Sequence, residues 1–305
     1  MIASGDGVMA ALGAALCWTL ASSLWRRLPT SLGASELNLL KNLVALGFQV
    51  PLLLLIGGGP LDRLPLSALL LLLVSGALGI AAGDSLYFAA LRRLGTRRAL
   101  TFDAGGPAVT AAAGTVFLGE VPLLRQWLGI ALISLAVLLV ARQRLPPSAY
   151  TAQATRLRRD QRFGVGMALA ALICGSAGAL LARSVLRLDG PSALTAATLR
   201  LLGGTLVLLP LLPALLRHGS SGGVGPRPPR RRWPLVLCAT LLGTSAGIVL
   251  QQFALSRLPG GLAVALLATA PVLALPLARW EGDRPGPVGA LAACLSVLAV
   301  VLLTR

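Results

Sequence analysis

The chain has 305 residues, 56% of them hydrophobic and 12% charged, with a mean hydropathy of +0.82. That composition excludes an ordinary soluble globular domain, in which about 25% of residues are charged. A formal charge of +17 would suggest a nucleic-acid partner if the basic residues shared one face, but the arginines stand between apolar runs, where they flank membrane spans, so no nucleic acid is expected.

A helical crossing needs about 20 apolar residues, because a rise of about 1.5 Å per residue must cover about 30 Å of hydrocarbon. Windows of this kind predict spans at 7–25, 37–57, 66–91, 99–118 and 124–141, then at 163–182, 192–216, 233–255, 259–280 and 285–304. Met1 to Gly7 carries no basic residue, so the first span is expected to stay as an anchor and not to be cleaved. Connections are short except for 142–162 and 217–232, whose Arg, Gly and Pro content predicts solvated loops. Cys17, Cys174, Cys238 and Cys294 fall in separate apolar runs without CxxC or Cys/His spacing, and are expected to be buried free thiols. The single histidine, His218, falls in the 217–232 stretch with no carboxylate cluster, which gives neither a metal site nor a catalytic dyad. Gly57, Gly58 and Gly59 lack the Gly-Lys-Ser/Thr that completes a phosphate loop, so no ATP and no cofactor are expected.

The chain repeats itself. At an offset of 164, Ala90 aligns with Ala254, Leu91 with Leu255, Arg93 with Arg257, Leu94 with Leu258, Ala99 with Ala263, Ala104 with Ala268 and Pro107 with Pro271. The region from Gly164 to Leu216 likewise echoes the one from Gly7 to Ile56. Five spans per copy is an odd number, so the second copy enters the membrane from the other side and the halves form an inverted pair. The expected fold is therefore an all-α integral membrane protein of about ten helices. Its two five-helix repeats are 1–141 and 163–305, joined by a basic linker at 142–162. Inverted halves meeting at the midplane are a common basis for alternating access, which points to transport.

The segment GDSLYFAALRRLGTRRALTFDAGGPAVTAAAGTVFLGE, Gly83 to Glu120, resembles the signature region of EamA domains in the drug/metabolite transporter superfamily. The matching features are the aromatic-plus-Ala start at Tyr87, a small-residue run, Pro107, the Gly119–Glu120 pair and a following span containing Gly129. In the second copy Glu281 follows Pro271 by ten residues where Glu120 follows Pro107 by thirteen. The resemblance implies a plasma (inner) membrane, multi-pass secondary transporter that exports or exchanges a small metabolite, such as an amino acid. Its partners would be lipid, the solute and a proton or counter-solute. The alternatives are a lipid-modifying membrane enzyme, for which the sequence supplies no catalytic cluster, and a non-transporting membrane subunit.

Lys41 and Arg200 occupy matching second-span positions, and a cation within hydrocarbon costs about 2.5 to 3.5 kcal/mol on insertion scales, so each needs compensation. Arg200 lies about 12 Å deep at helical rise; it reads as an anion-binding group, or as a structural partner of a helix terminus. Lys41 is shallower and reads as a second solute contact, or as a snorkelling lysine paired with Glu36 or a lipid phosphate. Asp84 and Asp103 fall near the same face as Lys41; they are proton-coupling sites, or carboxylates kept ionised by Arg92, Arg93, Arg97 and Arg98. Pro107 and Pro271 would interrupt mid-span hydrogen bonding and serve as hinges. Gly105, Gly106, Gly203 and Gly204 would let helices approach. Tyr87, and the pair Gln251 and Gln252 that replaces Tyr87 and Phe88 in the second copy, are solute-lining residues, with Trp18 as a stacking wall. Counted in and beside the loops after odd-numbered spans there are 19 arginines, against 6 on the other side. Charge thus places both termini outside, whereas the resemblance implies both in the cytoplasm.

Overall fold

A computed structural model describes residues 4–26, 32–56, 64–94, 102–142, 156–187, 190–220, 233–280 and 286–304. Nearly all of them are helical, as lipid demands of backbone groups that water cannot solvate. The rods are α1 (Gly5–Arg26), α2 (Ala34–Ile56), α3 (66–94), α4 (Gly106–Leu118) and α5 (Leu124–Arg142) in the first half. The second half holds α6 (Arg156–Leu186), α7 (193–220), α8 (Trp233–Arg257), α9 (260–280) and α10 (Pro287–Thr304). Eight are long and apolar enough to cross a bilayer; the shorter apolar helices, α4 and the Gly260–Pro276 part of α9, are the fourth members of the two halves. With alternating crossings, every even-numbered helix ends on the face where α1 begins, called here the terminus face.

The repeat is visible in defects as well as in rods. A π-helical segment interrupts α3 at Ala77–Gly83 and α8 at Leu241–Ala246, starting at the same position at the offset of 164 and ending one residue sooner in α8. Each widens the helix by an extra residue per turn and shifts its carbonyls, a frequent device at functional sites. A short break also precedes each aligned proline: Gly105 N–H donates to Phe102 C=O at 3.0 Å, and Thr269 N–H to Leu266 C=O at 3.2 Å. Pro107 and Pro271 therefore sit in the first turn of a new helical segment, where a missing N–H costs nothing. The expected mid-helix kinks are corrected to breaks placed just ahead of the prolines. Pro210, by contrast, turns α7 into a tight 3₁₀ stretch at Leu209–Leu211.

Helices are exchanged between the halves. The first helix of each half packs along the third helix of the other, α1 on α8 and α6 on α3, and continues onto the fourth, α9 or α4. The second helices α2 and α7 cross, and α5 and α10 lie side by side. Alanine at Ala11, Ala14, Ala179, Ala182, Ala254 and Ala263 fills the main core, letting helices approach where lipid gives no hydrophobic drive between them. Leu54, Leu55 and Phe117, each at least 75% exposed, form part of the apolar outer surface that lipid covers.

Three expectations change. Helix α6 starts at Arg156, inside the stretch read as a loop, and α7 continues through His218 to Ser220; helices here outrun the apolar windows that mark them. Cys238 and Cys294 are exposed, and Cys17 and Cys174 only partly buried, because an apolar run in a membrane helix has a lipid-facing side. Glu281, Arg97 and Arg98 lie outside the described residues, as do the side chains of Arg26 and Arg92.

Candidate functional site

Polar side chains gather where α2, α3, α7 and α8 meet around the two π segments. On α2, residues Asn38, Lys41, Asn42 and Gln49 share one face at near-helical spacing. Asn38 Nδ2 donates to Ile80 C=O at 2.7 Å and to Ser85 Oγ at 3.2 Å. Lys41 Nζ donates to Asp84 Oδ2 at 2.5 Å and stands 5.5 Å from the centre of the Phe88 ring. Gln49 Oε1 accepts from Thr198 Oγ1 at 3.2 Å, and its Nε2 donates to Ser245 C=O at 3.3 Å.

Arg200 enters from α7 and is 3% exposed. Its Nη1 donates to Gln251 Oε1 at 3.4 Å, and that oxygen also accepts from Gln252 Nε2 at 3.3 Å. Its other terminal nitrogen lies against Gly79 in the α3 π segment. Asp84 is the carboxylate whose field reaches Arg200, yet it is bonded to Lys41. The cluster thus holds two cations and one carboxylate, which is bonded to Lys41, and Arg200 has no ion pair of its own among the described residues. Arg200 Nε, Gln252 Oε1, Asn38 Oδ1, both side-chain atoms of Asn42, and the hydroxyls of Thr240 and Ser245 are buried without a hydrogen-bond partner. Leaving so many polar atoms unmatched is costly unless water or a ligand meets them.

The predicted residues divide accordingly. Lys41, Asp84, Arg200, Gln251 and Gln252 are brought together. Asp84 takes Lys41 as partner; of the loop arginines only the Arg93 side chain is among the described residues, and it donates to Ala89 C=O and Met167 Sδ. Lys41, expected as a second solute contact or as a snorkelling lysine paired with Glu36 or a lipid phosphate, pairs with Asp84 instead of snorkelling. Tyr87 stands beside Phe88, with ring centres 6.2 Å apart, within the field of both Asp84 and Asp103. Asp103 is exposed and has no partner among the described residues. Trp18, expected as a stacking wall, donates its indole Nε1 to Gly243 C=O at 2.9 Å and its ring abuts Gly247, so it fastens α1 to the α8 π segment.

Sequence reasoning missed Asn38, Asn42, Gln49 and Thr198, although a polar stripe at helical spacing in an otherwise apolar helix was there to be read.

The two faces are closed unequally. Near the terminus face α3 and α7 meet backbone to backbone: a Cβ at Gly76 would fall 1.8 Å from Arg200 O, and one at Gly203 2.1 Å from Leu73 O. The equivalent helices α8 and α2, which start from the opposite face, touch through the Gln49 side chain and show no such approach among the described residues. The Asp84 side chain, on that looser side, is 38% exposed.

The EamA-like transporter family pattern matches residues 6–142 and 162–305, one match per half. No curated protein matches. One crystal structure is similar at a TM-score of 0.76 over 99% of this chain and 97% of its own, with 17% identity, a likeness of fold alone.

Proposed function

This chain belongs to the EamA-like transporter family, and from that premise we propose that it moves a small polar solute, such as an amino acid, across the plasma (inner) membrane as an exporter or exchanger. A transporter of the drug/metabolite type, it contacts lipid and a small-molecule substrate. The observation that carries the finer reading is Arg200, a buried guanidinium with an unmatched Nε and no carboxylate of its own among the described residues. An anionic group of the solute would supply the missing charge, with the donor side of Gln251 beside it and Gln252 Oε1 free to accept from an ammonium or hydroxyl.

The packing supports an alternating-access reading. Helices α3, α4, α6 and α7 pack as one bundle and α1, α8 and α9 as another; α2, which crosses α7, is assigned to the second bundle as the repeat equivalent of α7. Closed at the terminus face and looser at the opposite one, the arrangement corresponds to one of two states that inverted halves can exchange. Asp103 is the carboxylate better placed to exchange a proton, since Lys41 holds Asp84.

Thermal melting of the purified protein against amino acids, other carboxylates, sugars and polyamines tests the reading. A solute at 100 times its dissociation constant adds about 2.7 kcal/mol. Stabilisation by an anionic or zwitterionic solute, absent in Arg200→Leu, is expected; stabilisation by a neutral or cationic solute that survives Arg200→Leu overturns the site.

A further inference from the structure

The Gly119–Glu120 pair plays no part in the solute site. Gly119, at φ 66°, ends α4 in the left-handed region and turns the next residue inward, where Glu120 N–H donates to Gly114 C=O at 3.1 Å. Both oxygens of the Glu120 carboxylate are used: Oε1 accepts from Arg183 Nε at 2.7 Å, and Oε2 accepts from Gly260 N–H at 2.7 Å. Arg183 Nη1 donates to Leu255 C=O at 2.8 Å and Ser256 C=O at 3.2 Å. These carbonyls end α8, and Gly260 begins α9. One ion pair therefore satisfies both loose ends of the α8–α9 corner, anion at the N-terminus and cation at the C-terminus, as the helix dipoles favour.

Glu120 and Arg183 both belong to the bundle of α3, α4, α6 and α7, and the corner belongs to the other bundle. The two side chains are 11% and 13% exposed. Directly beneath, a Cβ at Gly261 would come within 2.5 Å of Ala111 Cβ, and one at Gly260 within 3.8 Å of Thr110 Cγ2.

The structure assigns the Glu120–Arg183 pair as the latch of the terminus face: fixed within one bundle, it grips the α8–α9 corner of the other and closes this end of the path. The assignment rests on the alternating-access reading above. Release separates the pair from neutral backbone groups only. The carboxylate and guanidinium keep each other, so no charge is stranded, and water at the opened face replaces the three corner hydrogen bonds.

The test places Thr110→Cys, buried under the corner, in a full-length chain whose four native cysteines are alanine, and labels it in vesicles of each sidedness with a membrane-impermeant methanethiosulfonate. With the latch intact, labelling from the terminus face is slow. Glu120→Gln and Arg183→Gln are each expected to speed it roughly tenfold by raising the population open to that face. Arg183→Lys, which keeps the pair but loses the forked donors, falls between; it is scored alone, by the same criterion, if the neutral variants fail to assemble. Unchanged rates in variants that elute as folded protein overturn the latch. Faster labelling without any transported solute would uphold the latch and remove the transport reading, whereas transport with unchanged labelling would do the reverse.

Discussion

Gly76→Ala and Gly203→Ala probe the closed side of the molecule directly. A methyl at Gly76 would stand 1.8 Å from the Arg200 carbonyl oxygen, and one at Gly203 2.1 Å from that of Leu73. Real Cβ atoms essentially never come under 3.0 Å, so the helices must part by at least 1.2 Å and 0.9 Å respectively. The obstacles are backbone atoms and cannot rotate away. Overpacking costs about 1–3 kcal/mol, and against backbone that cannot rotate away the upper end applies, which leaves a net loss of about 2 kcal/mol after the helix propensity of about 1 kcal/mol gained by replacing glycine. At roughly 2–4 °C per kcal/mol, apparent melting in detergent should fall by several degrees in each variant. Because one separation relieves both contacts, the double variant should lose less than the sum. Gly47→Ala, with nothing within 4 Å of its new methyl, is the control and should melt no lower than the parent. Either glycine variant melting at or above the parent, or a strictly additive double variant, would refute the packing argument.

Breaking the Lys41–Asp84 pair with Lys41→Met should cost about 1–2 kcal/mol, below the 3–5 of a fully buried pair because the Asp84 side chain is 38% exposed. Lys41→Met with Asp84→Leu should cost less than the two singles together, which a thermal double-mutant cycle measures; additive losses would mean the pair is not coupled. If Asp103 carries the coupling proton, Asp103→Asn should abolish solute accumulation driven by a pH gradient while leaving solute-for-solute exchange intact; preserved gradient-driven uptake would remove that role.

Much of the fold was legible because lipid leaves the chain few options: an apolar window long enough to cross must be a helix, and an odd-numbered repeat must be inverted. The ends of α6 and α7 were not, since Arg156 to Arg162 and His218 continue helices through residues that composition assigns to loops. The π segments also escaped, although Gly79 and Gly83 align with Gly243 and Gly247, because a shift in hydrogen-bond register has no compositional signature. Lys41, Asp84 and Arg200 announced themselves by the cost of charge in hydrocarbon. Their pairing depended on the rotation of α2 and α3 about their axes, which brought Asp84 to Lys41 and left Arg200 with Gln251. Trp18 shows the same limit from the other side: a large ring in the first span reads equally as a solute wall or as the clasp on Gly243 that it is.

The central claim, a solute path whose charge requirement is set by Arg200, is tested most directly by counterflow in proteoliposomes, using the solute identified by thermal melting, with the parent, Arg200→Lys and Arg200→Leu reconstituted to equal density. The account predicts accumulation by the parent and a loss of roughly 10- to 100-fold in apparent affinity for Arg200→Leu, the scale of one charge-assisted hydrogen bond, with Arg200→Lys between them. Undiminished counterflow through Arg200→Leu would contradict it.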